Sequence, residues 1–170
     1  MSSLKHIAFF SFILLNCYNC SSGSMSTNQG QVSQPDGRGT ISTNCLSAVS
    51  YDNRFALNVE FKQDNTLQSS ISFSNILQTS DNHTELIEDW LIGADSLPFS
   101  RLLEYVGGDV ILQSYRSAPN SYIEVIDNDG QIKISFDTLL FLKDLRFQNA
   151  SQASDSIFLV DGLFEFSLES

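Results

Sequence analysis
Basic side chains, histidine and cysteine are scarce in this chain. Its 170 residues hold 9 Lys and Arg against 20 Asp and Glu, for a formal charge of −11, with 2 His and 3 Cys. The shortage of cations excludes nucleic acid as a partner, because such binding runs on Lys and Arg neutralising phosphates. Long apolar runs are missing as well: after Leu15 no stretch reaches the length that spans a bilayer. What is present suffices for a fold. Hydrophobic residues at 42% and charged residues at 17% exclude a wholly disordered chain. The length suits one domain of ordinary size.

The N-terminus reads as an address. Lys5 precedes the apolar run Ile7 to Leu15, which ends at Asn16, the order of an export signal. In a helix that run spans about 14 Å, short of the roughly 30 Å of a hydrocarbon core. The bland alternative is a buried N-terminal helix. Leu14-Leu15-Asn16-Cys17 resembles the lipobox of bacterial lipoproteins, with Asn16 where that family usually has Gly, Ala or Ser. The resemblance does not extend into the domain that follows. It implies cleavage before Cys17, diacylglycerol on the Cys17 sulfur and an acylated new amino group. Such an anchor holds at about 0.8 kcal/mol per buried methylene. Tyr18, not Asp, follows the cysteine, which by the family's sorting rule implies the outer rather than the inner membrane. Ordinary secretion, with cleavage near Ser22-Gly23-Ser24, is the alternative.

The expected organisation is a signal peptide over 1–16, a lipid anchor and flexible linker over 17–39, and one β-rich domain over 40–170. The linker assignment rests on the Ser, Gly, Gln and Asn that dominate Ser21 to Gly39. With Cys17 given to lipid, Cys20 and Cys45 remain. They form either a disulfide, worth about 3.5 kcal/mol in the chain-entropy model, or a linker thiol and a small buried hydrophobe.

Within the domain the dominant period is two. Phe55, Leu57, Val59 and Phe61 alternate with Ala56, Asn58, Glu60 and Lys62. After Asp64-Asn65, Leu67, Ser69, Ile71 and Phe73 resume the pattern as the second arm of a hairpin. A weaker strand over Thr40 to Tyr51 precedes them. The period then changes. Asn82 with Glu85 forms a capping box before Leu86, Ile87, Trp90 and Leu91, and Phe99, Leu102, Leu103 and Val106 form a second helical stripe closed by Gly107-Gly108. Short strands follow at Val110 to Tyr115 and Tyr122 to Ile126. The turn Asp127 to Gly130 leads into Ile132, Ile134, Phe136, Thr138, Leu140 and Leu142, all of one parity. Asp161-Gly162 signals a type I′ turn between Ile157–Val160 and Leu163–Leu168, with Phe164, Phe166 and Leu168 facing inward. The expectation is a mainly β protein, α+β at the margin. Its form is an antiparallel β-sandwich or small barrel of about eight strands, with two short helices inserted.

Catalytic chemistry is hard to assemble from these residues. Past the signal, His83 is the only histidine; no GxSxG elbow exists, and one His with two Cys does not make a zinc site at any familiar spacing. His83 reads as an exposed residue at a helix start. Asp127-Asn128-Asp129-Gly130 resembles the middle of an EF-hand loop, but Val125 and Phe136 occupy ligand positions, so it reads as a turn. Gly107-Gly108 lies between a predicted helix and a strand, the reverse of a phosphate loop. Asn82-His83-Thr84 and Asn149-Ala150-Ser151 match the glycosylation pattern, which matters only in a eukaryote. No cofactor, metal or catalytic residue is expected. The function expected first is a non-enzymatic, lipid-anchored cell-envelope protein that binds a protein or glycan or serves a structural role. The alternative is a carrier of an apolar ligand inside a barrel, and an acid-based hydrolase ranks last.

Overall fold
The alternation at Arg54 matures into a long hairpin, and the rest of the chain wraps around it. The computed structural model of the chain describes residues 28–33, 39–87, 97–119, 121–144 and 156–168. Among these residues eleven strands are formed: β1 (Gln29–Ser33), β2 (Thr40–Thr43), β3 (Cys45–Tyr51), β4 (Arg54–Gln63), β5 (Thr66–Leu77), β6 (His83–Ile87), β7 (Phe99–Val106), β8 (Val110–Ser117), β9 (Ser121–Asn128), β10 (Gln131–Lys143) and β11 (Ser156–Ser167). All pairings are antiparallel, in the order β2-β1-β11-β10-β8-β7-β5-β4-β3.

The two ends of that order, β2 and β3, are consecutive in the chain and separated by Asn44 alone. One kinked run therefore pairs with β1 on one side and β4 on the other, and the sheet is nearly closed into a barrel. Thr43 holds the kink. Its hydroxyl donates to the Glu60 carbonyl at 2.7 Å and accepts the Cys45 N–H at 3.0 Å, replacing ladder bonds that the bend interrupts.

Turn chemistry supports the hairpins where the sequence was explicit. Asp64 and Asn65 take φ of 50° and 62° between β4 and β5, and Asp129 and Gly130 take 53° and 86° between β9 and β10, as primed turns require. Asp127 Oδ1 accepts the Gly130 N–H at 2.9 Å, so the acidic run caps a turn.

Two helices were expected, and neither is present among the described residues. Residues 83–87 are β6, paired with β9; the rest of the first stripe, with Trp90, lies outside the described residues. Phe99 to Val106 is β7, paired on both sides. Its inward face is Ser100, Leu102 and Glu104, polar at two positions of three, so alternation of hydrophobicity is absent and a helical stripe mimics it. Gly107 and Gly108, at φ 67° and 91°, turn β7 into β8 rather than capping a helix.

β1 lies within the stretch expected to be linker. Gly30 and Val32 are buried, Val32 at 2% exposure, and β1 bridges β11 and β2. The strand went unseen because QGQVS offers one aliphatic residue, and its other inward position is a glycine lying under the ring of Phe164.

The type I′ turn at Asp161-Gly162 is also corrected. β11 runs unbroken through it, in constant register with β10. Only Asp161 has a positive φ, 50°, and this twist inverts side-chain parity, so that Leu159 and Gly162 are both inward. The partner strand inverts opposite it. Phe136 and Leu139 point in while Asp137 and Thr138 are exposed, so the single parity expected over 132–142 fails after Phe136. Phe164 and Phe166 do face inward, as expected.

Among the described residues one buried apolar cluster spans the interior. Phe73 of β5 meets Phe136 of β10 and Phe164 of β11 at centroid distances of 6.4 and 5.7 Å, and the latter two lie 6.1 Å apart. Opposite walls thus touch through rings in tilted contact. Phe55 and Phe166 repeat the arrangement at 5.7 Å.

Candidate functional site
The barrel wall forks at β10. Residues Gln131–Ser135 pair with β9, whereas Phe141–Lys143 pair with β8. Between them the strand bends at Asp137-Thr138, beside the bend at Asp161, and one bond spans the gap, from the Ala118 N–H to the Leu140 carbonyl at 2.8 Å. β9 carries β6 as a two-stranded flap. An open groove of about 750 Å³ lies on the outer face over this fork, within the range of small-ligand sites.

Register assigns its walls. Thr84 pairs with Glu124, Glu124 with Ser135, and Ser135 with Leu163, so these four residues form one row across β6, β9, β10 and β11 on one face. Lys133 flanks that row, and Tyr122, 57% exposed, stands two residues from Glu124 on the same face. Asp137, Thr138 and Asp161 supply the far side at the double bend. These eight polar side chains make no hydrogen bond or ion pair with other described residues. Elsewhere some outward polar groups are paired, Lys62 with Glu60 at 2.8 Å, Tyr51 with Asn75 at 2.8 Å, Ser50 with Gln78 at 3.0 Å, and Gln29 with Glu165, while others, such as Ser47 and Asn58 on neighbouring strands, engage no described residue. What distinguishes the groove is that eight such unengaged groups gather around one concavity.

A second polar cluster lies inside the barrel. Ser69, Glu104 and Gln113 are cross-strand neighbours on β5, β7 and β8, all buried. The Tyr115 hydroxyl donates to Glu104 Oε2 at 3.2 Å. Burial pushes the Glu104 carboxyl above its ordinary range, partly offset by that bond. Burial, then the charge of Glu104 and the bond to it, pushes the Tyr115 phenol well above its own. Gln113 Nε2 donates to the Ser114 carbonyl at 3.1 Å, while its Oε1 has no partner among the described residues. Glu104 has Ser69 and Gln113, not a second carboxylate, as its cross-strand neighbours.

The residues singled out from the sequence fall elsewhere. Cys17 and Cys20 lie outside the described residues. Cys45 opens β3, is buried at 5% exposure and is disulfide-bonded, its partner lying outside the described residues. His83 begins a strand, not a helix, and is half-buried. Its Nδ1 faces the Asp81 carbonyl at 3.2 Å, and its Nε2 stands 3.4 Å from Glu85 Oε1. The strand pairing of β6 draws the ring in against the sheet, which corrects the expectation of an exposed residue. Among the described residues no three His, Cys, Asp or Glu side chains converge as a metal site would require.

The groove was missed because its residues come from four strands and share no motif. The one signal that could have found it is Asp161-Gly162, read as a strand bend instead of a turn. Comparison with known proteins finds no matching family model, curated protein or solved structure.

Proposed function
We propose that this is a non-enzymatic, lipid-anchored cell-envelope protein whose barrel presents the outer groove over the β10 fork to a partner. The observation that carries the reading is the convergence of eight polar side chains, none engaged by another described residue, around one open groove of about 750 Å³. Keeping donors and acceptors free on a rigid sheet costs nothing in water and leaves them ready for exchange with a ligand. The reading is preferred to a carrier of an apolar ligand because the barrel's own rings occupy its middle, where a carrier needs room. The anchor is assigned to Cys17, with outer-membrane placement following from Tyr18; secretion without lipid is the alternative.

The test uses the full chain in its envelope. A diazirine photo-crosslinking residue replaces Thr84, exposed at the groove rim, in one variant and Val49, 65% exposed on β3, in another. A discrete adduct from position 84 and none from 49 supports the groove as the docking face; equal labelling from both removes the assignment. In the same cells, Cys17→Ser is expected to release the protein from membranes while Cys20→Ser stays bound. The opposite pattern overturns the anchor.

A further inference from the structure
We propose that the groove over the β10 fork binds a neutral or amine-bearing oligosaccharide, with Tyr122 as the stacking platform; this rests on reading that groove as the docking face. A pyranose ring has an apolar C–H face and an edge of hydroxyls. Tyr122, 57% exposed, offers its ring, and around the same groove stand hydroxyls from Thr84 and Thr138 and carboxylates from Glu124, Asp137 and Asp161. Carboxylates accept hydroxyl hydrogen bonds strongly, and here none is already engaged by the described residues.

Shape agrees with this chemistry. The row from Thr84 to Leu163 crosses four adjacent strands, about 14 Å at the spacing of strands in a sheet. That is room for a short run of sugar units lying across the strands.

Charge narrows the class. Three carboxylates face one ammonium, Lys133, in a chain of net charge −11. Uronic acids, sulfated sugars and phosphate-bearing polymers are repelled by that field, whereas neutral sugars are not and amino sugars are drawn in. A protein partner fits less well. Protein interfaces are organised around a core depleted in charge, and here Tyr122 is the exposed large apolar side chain, with Leu140 and Leu163 only half-buried in the floor.

The experiment titrates the full chain, carrying Cys17→Ser to keep it in solution, with three oligosaccharide sets of equal length by calorimetry. The sets are neutral cello- and chito-oligosaccharides, their de-N-acetylated amino forms, and uronic-acid oligomers. Binding of the neutral or amino sets, weakened about tenfold or more by Tyr122→Ala and restored by Tyr122→Trp, is the expected result. Tyr122 is exposed, so the variant should keep its fold, and circular dichroism checks this. A second variant, Thr138→Arg, should block the groove without touching the ring. Preference for the uronic set overturns the proposal, as does binding insensitive to both variants. If no oligosaccharide binds while position 84 still crosslinks a protein in the envelope, the ligand class is wrong and the docking face stands. If neither occurs, both fall. Shortened oligomers in the calorimeter cell would overturn the non-enzymatic reading instead.

Discussion

Replacing Gly162 with alanine tests the account of the barrel at its tightest point. A Cβ built on Gly162 lies 2.1 Å from Phe136 Cζ and 2.3 and 2.5 Å from its two Cε atoms, far inside van der Waals contact. The ring cannot swing away, because Phe73 and Phe164 stand 6.4 and 6.1 Å from it on the inner side. Either the β10–β11 ladder opens or the three rings repack. Overpacking of this kind costs about 1–3 kcal/mol, and a contact this short belongs at the upper end. Gly130→Ala is the control: its φ of 86° imposes strain, but nothing lies within 4 Å of the new methyl. That change should cost only about 1 kcal/mol.

The assay is urea unfolding of the Cys17→Ser chain, arranged as a double-mutant cycle with Phe136→Leu. Alone, Phe136→Leu should destabilise by roughly 1–2 kcal/mol through lost ring volume. Combined with Gly162→Ala it should relieve the clash, so the pair costs at least about 1 kcal/mol less than the sum of the singles. Strict additivity would refute the reasoning, since it would mean that methyl and ring do not compete for one space. A type I′ turn at Asp161-Gly162 would give that additive outcome, with the cost of alanine arising from backbone strain alone.

Three further outcomes follow from the same structure. Protein beginning at Gly39 loses β1, leaves the β11 edge unpaired and uncovers Phe164, so it should lose several kcal/mol or fail to unfold cooperatively, which denaturant melts would show. Phe166→Ala, at 0% exposure against Phe55, should cost about 3–5 kcal/mol, while Glu165→Ala, outward and half-buried, should cost less than about 1 kcal/mol; equal sensitivity in those melts would mean that the parity of β11 is wrong. Because Glu104 is raised in the native barrel, the folded state holds its proton where the unfolded chain has released it. Stability from this group is therefore full below about pH 4.3 and is lost as pH rises through the raised native value. Glu104→Gln should flatten that dependence in melts between acid and neutral pH, and a slope unchanged by the substitution would contradict the burial argument.

Legibility in the sequence follows what each strand buries. β4 was plain because Phe55, Leu57, Val59 and Phe61 all face the core while the residues between them do not. The turns at Asp64-Asn65 and Asp129-Gly130 were plain because positive φ restricts residue choice. β7 was not, since Ser100 and Glu104 point inward and Leu103 does not, so the apolar residues fall at helical spacing. Pairing with β5 on one side and β8 on the other overrode that local pattern, supplying ladders along most of the strand. β1 was hidden for a related reason. Its glycine is buried because Phe164 covers it, and a glycine under an aromatic ring carries no hydrophobic signal of its own.

The groove was hidden more deeply, by parity. An uninterrupted alternation from Ile132 would send Thr138, Leu140 and Leu142 inward and Asp137, Leu139 and Phe141 to water. Inversion at Asp137-Thr138 buries Leu139 and Phe141 instead and leaves two consecutive polar residues exposed beside Asp161. That inversion requires a partner able to twist with it, which is what Asp161 at φ 50° and Gly162 beneath Phe136 provide. The resulting surface has no signature in one dimension, because polar residues facing outward are what any half-buried strand displays. What sets Tyr122, Glu124, Lys133, Ser135 and Asp137 apart is that they line one groove and none engages another described residue. Pairing is a property of register across four strands, so the site becomes visible only once the ladder between β6, β9, β10 and β11 is assigned.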